Sequence, residues 1–380
     1  MKKALQRAVA LNSEARAFSN GGEKIRPLRV AILAYAYGLE LHGIGKYSWH
    51  LAHELSKLGV HVDVFTTNLH LKTIGVPLFY VKNAFLNLKK YDIVHSDGAG
   101  GIFLYHPRMI ETYHHDYRQP SDVNSLVLYG IEALQCRRIK HIIVPSFATK
   151  NSLLNHGFKE EKITVIHHGI DHETFKHCEA SGRIIRKKYG LKRLFTVISV
   201  GRLVKHKRHI DIIEALSKIP ETAFILVGAG PEEERIVAMA KEKNVKLWHF
   251  KNISEELLAG LYNAADVYVH ASVLEGFGLT VIEAMACALP VICYDAGDFK
   301  NIVPGAGIVL EPRNVEAMMH AIEFLKHKND ERKAFSHTAL KKSKEFTWKK
   351  TAEEHLKVYK KVLAYKINEN VSFISTSESS

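Results

Sequence analysis

Two carboxylates, Glu275 and Glu283, stand eight residues apart in the segment Glu275-Gly276-Phe277-Gly278-Leu279-Thr280-Val281-Ile282-Glu283. The segment follows a strand-like run, DVYVHAS, and opens a helix-like run, LTVIEAMA. Glu275 falls in the loop, and Glu283 about one turn into the helix. Gly276 and Gly278 carry no Cβ, so the backbone can approach a ligand closely. Amides at a helix start have no intrahelical partner, which favours an anion near residues 277–279. Glu283 can reach paired hydroxyls such as those of a ribose. The plainer reading is a loop acid and a surface helix acid. Against it, Glu283 lies in VIEAMACALPVI, where a carboxylate is costly unless it has partners.

A second group, Val200-Gly201-Arg202-Leu203-Val204-Lys205-His206-Lys207-Arg208, follows another strand-like run, FTVISVG. Gly201 permits a turn at the strand end. Arg202 offers a planar fork and Lys207 a point charge, a pair suited to a diphosphate. A solvated basic loop is the bland alternative, and the carboxylate pair weighs against it. A third, weaker group is Leu41-His42-Gly43-Ile44-Gly45-Lys46-Tyr47. Gly43 and Gly45 place bare amides ahead of a helix, although a lone G-x-G is equally a tight turn. A fourth is Thr112-Tyr113-His114-His115-Asp116 at a strand end. His114 could hydrogen-bond a sugar or move a proton. In a chain with 23 histidines, a polar loop histidine is the default for that position taken alone.

Alternating elements must position these groups. From Leu28, strand-like runs (LRVAILAY, VHVDVFTT, DIVHS, MIETYH, HIIVPS, KITVIHH) alternate with helical segments, which predicts a parallel sheet covered on both faces. The pattern restarts after SGRIIRKKYGLKRL, a charged segment without a clear apolar face. FTVISVG, AFILVGAG, VKLWHF, DVYVHAS and PVICYD are the next strands, and from about Asn314 the chain reads as helical. Two doubly wound α/β domains are therefore expected, with ligands beyond the carboxyl ends of the strands. The expected divisions are an extension over 1–27, a first domain over 28–180, a second over 181–345, and a C-terminal helix and tail over 346–380 that returns to the first domain. A frayed extension is favoured for residues 1–27 over an amphipathic helix lying on a membrane.

The chain has 380 residues and a formal net charge of +13. Residues 1–190 hold 26 Lys and Arg against 16 Asp and Glu, so the excess lies in the first half. Such a half attracts phosphates, nucleic acid or an anionic membrane. None of the four cysteines forms a C-x-x-C pair, which speaks against a zinc or redox site, and a reducing compartment fits. No stretch approaches the ~18 apolar residues of a spanning helix. No Asp-x-Asp pair near a strand end suggests a metal, and no G-x-x-x-x-G-K-[ST] loop suggests an ATPase. Nucleic acid is not an expected partner, since no zinc-finger, RNP-type or helix-turn-helix signature is present.

In combination these segments resemble the large family 4 of retaining glycosyltransferases, which have the two-domain GT-B fold. The resemblance runs from about Arg29 to Tyr365 through HGIGKYSWHLAHELSKLGVHV, YDIVHSD, VPSFATKNSLL, VIHHGID, SVGRLVKHK, LVGAGPEEERI and EGFGLTVIEAMACALPVI. It implies that Arg202 and Lys207 bind a donor diphosphate, Glu275 the transferred sugar and Glu283 the ribose hydroxyls. The amides of Phe277, Gly278, Leu279 and Thr280, with Gly276 beside them, would touch sugar and phosphate. Gly43 and Gly45 would close over the diphosphate, and His114 would bond the sugar near the reacting centre. His42, Ala288 and Lys251 stand where the family commonly has glycine, and His115 is an added histidine beside His114. The implied donor is a UDP-, GDP- or ADP-sugar, with no metal or other cofactor required. The implied acceptor is a glycan, a lipid or a small molecule. A cytoplasmic protein is expected, with a peripheral position on an anionic membrane face as the membrane-associated variant. A nucleotide-sugar 2-epimerase of the same architecture and a non-catalytic basic binding protein are the rival readings.

Overall fold

A computed structural model describes residues 8–11, 19–20, 23–24, 26–34, 37–38, 44–66, 86–98, 104–114, 130 and 139–375. The chain divides into two compact units, Met1–His168 with Trp348–Ser380, and Gly169–Thr347.

In the first unit the strands are β1 (Ala8–Leu11), a short β2–β3 hairpin (Ser19–Asn20 and Glu23–Lys24), β4 (Arg29–Ala34), β5 (His61–Phe65), β6 (Ile93–Asp97), β7 (Met109–Thr112), β8 (His141–Val144) and β9 (Ile163–Val165). One sheet runs β1-β5-β4-β6-β7-β8-β9. Its strands are parallel except β1, which pairs antiparallel with β5. Residues 8–11 are thus an edge strand rather than a frayed extension. Strand alternation sends Val30, Ile32 and Ala34 into one hydrophobic cluster and Ala31 and Leu33 into another. Both faces of β4 are therefore buried. Helix α1 (Ile44–Lys57) covers the first face with Tyr47, Leu51 and Leu55. Because α1 begins at Ile44, Gly45 lies in its first turn rather than in the preceding loop. Helix α2 (Phe147–Asn155) starts at Ser146, whose hydroxyl accepts the Thr149 amide at 3.0 Å.

The second unit begins with α3 (Glu179–Lys188) and continues through β10 (Phe195–Val200), α4 (His209–Leu216), β11 (Thr222–Val227), α5 (Glu233–Glu242), β12 (Leu247–Phe250), α6 (Glu255–Ala264), β13 (Val267–His270), α7 (Leu279–Ala286), β14 (Val291–Tyr294), α8 (Phe299–Ile302), β15 (Gly307–Leu310), α9 (Val315–His327) and α10 (Asn329–Ser343). Its parallel sheet runs β12-β11-β10-β13-β14-β15. The segment expected at the domain boundary is helix α3, and it belongs wholly to this unit. It docks on α6 through Gly182, where an added Cβ would lie 2.1 Å from the Asn263 carbonyl oxygen. Asn263 also accepts the Cys178 amide at 2.7 Å and donates to the Lys176 carbonyl at 3.0 Å. These ties explain why the unit starts well before residue 181. The last helix, α11 (Trp348–Ser375), returns to the first unit, where Trp348, Ala352, Val358, Tyr359 and Val362 join the cluster of α1 and β4.

Each sheet has one point where successive connections leave in opposite directions. In the second unit it lies between β10 and β13, and in the first between β4 and β6. In sheets of this kind ligands bind at that point, outside the carboxyl ends of the strands.

Candidate active site

The switch point of the second unit is bordered by the turn after β10 and the loop after β13. Their backbones are tied where the Val273 amide donates to the His206 carbonyl at 3.0 Å. That bond brings together two motifs that lie some seventy residues apart in sequence. Lys207, in the short 3-10 turn Lys205–Lys207, donates to Oε1 of Glu275. His270, the last residue of β13, donates from Nε2 to the same oxygen at 2.6 Å. His270 Nδ1 in turn lies 3.0 Å from the Tyr268 hydroxyl, whose oxygen is 2.8 Å from Thr280 Oγ1. Tyr262, on α6, donates to Oε2 of Glu283 at 3.1 Å. The sequence segment from Glu275 to Glu283 is thus underpinned by a layer of buried polar side chains.

Burial alone would raise the Glu275 carboxyl, but Lys207 and His270 outweigh it and hold the group well below the usual carboxylate range. Burial also pushes the His270 imidazole down, against the pull of Glu275. The Tyr262 and Tyr268 phenols are driven up, first by burial and then by the carboxylates near them. The site therefore holds an ionised acid against a lysine in a dry setting, while its tyrosines stay protonated.

Gly278 caps α7 at φ 90°, and a Cβ there would meet Phe299 Cζ at 2.5 Å. Only glycine fits both the left-handed backbone and the ring. Gly276, Leu279 and Thr280 are half-buried around the helix start, and Phe277 is buried. Arg202 is exposed and its side chain makes no hydrogen bond or ion pair among the described residues, though its charge is felt at His206. The structure thus joins Lys207 to Glu275 directly, links Thr280 and Glu283 to the buried tyrosines, and leaves Arg202 at the surface of the same turn.

In the first unit, His114 stands just past β7 and donates from Nε2 to Asp97 at the end of β6. Asp97 also accepts the Ser48 hydroxyl from α1. The His114 ring meets Tyr47 edge-on at 4.7 Å and His168 at 5.3 Å. Beneath it, the Tyr47 hydroxyl donates to His355 Nε2 at 2.7 Å, since His355 Nδ1 is committed to the Thr351 carbonyl at 2.7 Å. Thr112 bridges Tyr47 at 3.0 Å and His95 at 2.8 Å, and His95 reaches Tyr359 at 2.7 Å. Gly45 is buried nearby on α1, whereas Gly43, His42 and His115 lie outside the described residues.

Asp97, Tyr268, His270 and Tyr262 were missed as site residues in the sequence. A signal existed for two of them: in Val267-Tyr268-Val269-His270 the strand period puts Tyr268 and His270 on one face. The valines join one hydrophobic cluster and Tyr268 the other. Among the described residues, no group of three His, Cys, Asp or Glu side chains is arranged to hold a metal ion.

This architecture matches that of HepE from Anabaena, solved with UDP and glucose, at a TM-score of 0.73 and 18% identity over 88% of this chain and 100% of that one. Two Rossmann-like units with polar clusters at their strand ends place the chain in the GT-B class. Residues 182–342 match the family described as Glycosyl transferases group 1, and residues 68–174 match Glycosyltransferase Family 4. The chain belongs to these group 1, family 4 glycosyltransferases. A glycosyltransferase of Methanocaldococcus jannaschii is 27% identical over 238 residues, 60% of either chain. The O-antigen chain mannosyltransferase B of Escherichia coli is 27% identical over 185 residues, 46% of this chain and 48% of that one. The matched region thus spans 60% and 48% of the lengths of these two relatives.

Proposed function

We propose that this chain transfers a hexose-type sugar from a nucleoside-diphosphate donor to a hydroxyl acceptor, with retention at the anomeric carbon. The observation that carries this reading is the ion pair of Lys207 and Glu275, in the loop leading to α7, with Glu283 one turn into that helix. Lys207 and Arg202 bind the diphosphate and stabilise its charge as the sugar departs. The amides of residues 277–280 add donors at the helix start. Glu275 accepts from the sugar hydroxyls, and Glu283 takes the ribose diol. His114 bonds the sugar near the reacting carbon, and Gly43 and Gly45 cover the diphosphate from the first unit. The acceptor hydroxyl attacks from the face the diphosphate leaves, which retains the configuration. Cationic side chains and amides carry the leaving charge, so no metal or other cofactor takes part in this scheme.

The acceptor is a glycan, a lipid-linked sugar or a small molecule, and the basic first half of the chain suits a peripheral position on an anionic cytoplasmic membrane face. No described helix is long and apolar enough to cross a membrane.

Thermal unfolding with a panel of UDP-, GDP- and ADP-sugars tests the donor. One class should stabilise the protein by roughly 3 kcal/mol at a hundredfold excess over Kd. A panel with no stabilising member overturns the proposal. Product mass spectrometry with a membrane lipid extract then identifies the acceptor.

A further inference from the structure

Glu275 is bonded in an unusual way: both of its donors, Lys207 and His270, converge on Oε1. No hydrogen bond to Oε2 is found among the described residues. The proposed reaction gives Lys207 a second task, at the diphosphate. A lysine shared with phosphate oxygens holds the carboxylate less well. A buried carboxylate that loses its partner is costly and turns to find another. His270 is not subject to that competition. It is buried at the end of β13, its ring is stacked on Tyr268 at 5.9 Å, and Phe299 abuts its edge at 5.4 Å. The ionised Glu275 carboxylate can only accept, so Nε2 carries the ring proton and Nδ1 accepts from the Tyr268 hydroxyl.

We propose that His270 is the positioning residue for Glu275: it pins Oε1 while Lys207 serves the diphosphate, leaving Oε2 free to accept a hydroxyl of the donor sugar. The inference rests on the donor-site reading above and adds to it a residue that never touches the substrate. The hydrogen bond to a charged group sets the scale. Its loss corresponds to roughly 10- to 100-fold in an equilibrium that depends on Glu275 geometry. The effect must fall on the sugar and spare the nucleotide, because the diphosphate ligands are other groups.

The test compares wild type, His270→Gln and His270→Leu. Isothermal titration gives Kd for UDP, GDP and ADP and for UDP-glucose, GDP-mannose and ADP-glucose, and donor hydrolysis without acceptor gives turnover. Leucine fills the space without donating, while glutamine can place an N–H near the lost Nε2. The expected result for His270→Leu is a nucleoside-diphosphate Kd within about twofold of wild type, with hydrolysis and the sugar-dependent gain in affinity down by roughly 10-fold or more. His270→Gln should recover most of both. The inference fails if His270→Leu keeps the wild-type sugar dependence. It fails equally if nucleotide and sugar nucleotide weaken in proportion, or if glutamine rescues nothing. A wild type that binds the sugar nucleotides, with His270→Leu indistinguishable from it, overturns the inference alone. A wild type that binds no member of either panel overturns the donor site with it.

Discussion

Asp97 and His114 form a carboxylate–imidazole pair across two neighbouring strand ends, with the carboxylate also anchored by Ser48 from α1. The pair commits Nε2 of His114 and fixes the plane of the ring. Replacing Asp97 by Asn keeps the shape and removes the charge. Turnover should fall by roughly 10- to 100-fold, while affinity for the free nucleoside diphosphate stays unchanged. Steady-state kinetics beside titration with UDP, GDP or ADP separates the two. An unaltered kcat in Asp97→Asn would show that the orientation of His114 is irrelevant to transfer.

Arg202→Ala and Lys207→Ala should each remove most turnover, but they should differ in stability. The Arg202 side chain is exposed and unbonded among the described residues, so its loss should change unfolding free energy by less than about 0.5 kcal/mol. Lys207 neutralises a buried carboxylate, and its removal leaves Glu275 with His270 alone. His270 remains as a donor, so a cost of roughly 1–3 kcal/mol is expected there. Urea titrations of both variants check this. Equal stabilities would mean that Lys207 and Glu275 do not depend on one another in solution.

The buried histidines predict a loss of stability in mild acid. Burial holds His95 and His168 well below the ordinary imidazole value, His355 at about 4 and His209 at about 3. The unfolded chain takes up these protons near pH 6.5, and the folded chain does so only near pH 4 or lower. Between those values the unfolded state binds more protons, so stability falls as pH falls and is unaffected above about pH 7. His355 alone contributes on the order of 3 kcal/mol across that window. Glu275, whose carboxyl is depressed, adds its own loss only at lower pH. Urea unfolding at steps from pH 8 to 5 should show the decline beginning near 6.5. A flat profile over that range would contradict it.

Ala288 adopts φ 60°, a left-handed conformation that is costly for a residue with a Cβ. Ala288→Gly relieves that strain and loses part of the gain to the freer unfolded chain. A net stabilisation of about 0.5 kcal/mol is expected, or ~1–2 °C in Tm. Calorimetry showing a lower Tm would mean that the strain is negligible.

Most of the parallel framework could be read from the sequence, because runs such as RVAILA are apolar on both faces and fit only a strand covered on two sides. That the Lys207 and Glu275 motifs both sit at strand ends was also legible, since each follows a strand-like run; that the two strands are neighbours came from the sheet order. What escaped has physical reasons. β15 is four residues, Gly307–Leu310, too short for a period to show. Helix α3 shows no apolar stripe because its contact surface is largely Gly182 with Ile185, while Ile184 is 66% exposed. The strand period puts His270 on the face of Tyr268, but its contact with Glu275 is one that no linear pattern encodes.

The first unit is assembled from two stretches of chain, and the second from one. During synthesis the residues Gly169–Thr347 are complete before Trp348 is made, while β4 still lacks the covering supplied by α11. His355 and Tyr359 must then arrive to engage Tyr47 and His95. The later part of the gene thus encodes the module that can mature first. The strands of the first unit stay incompletely shielded until α11 has been made.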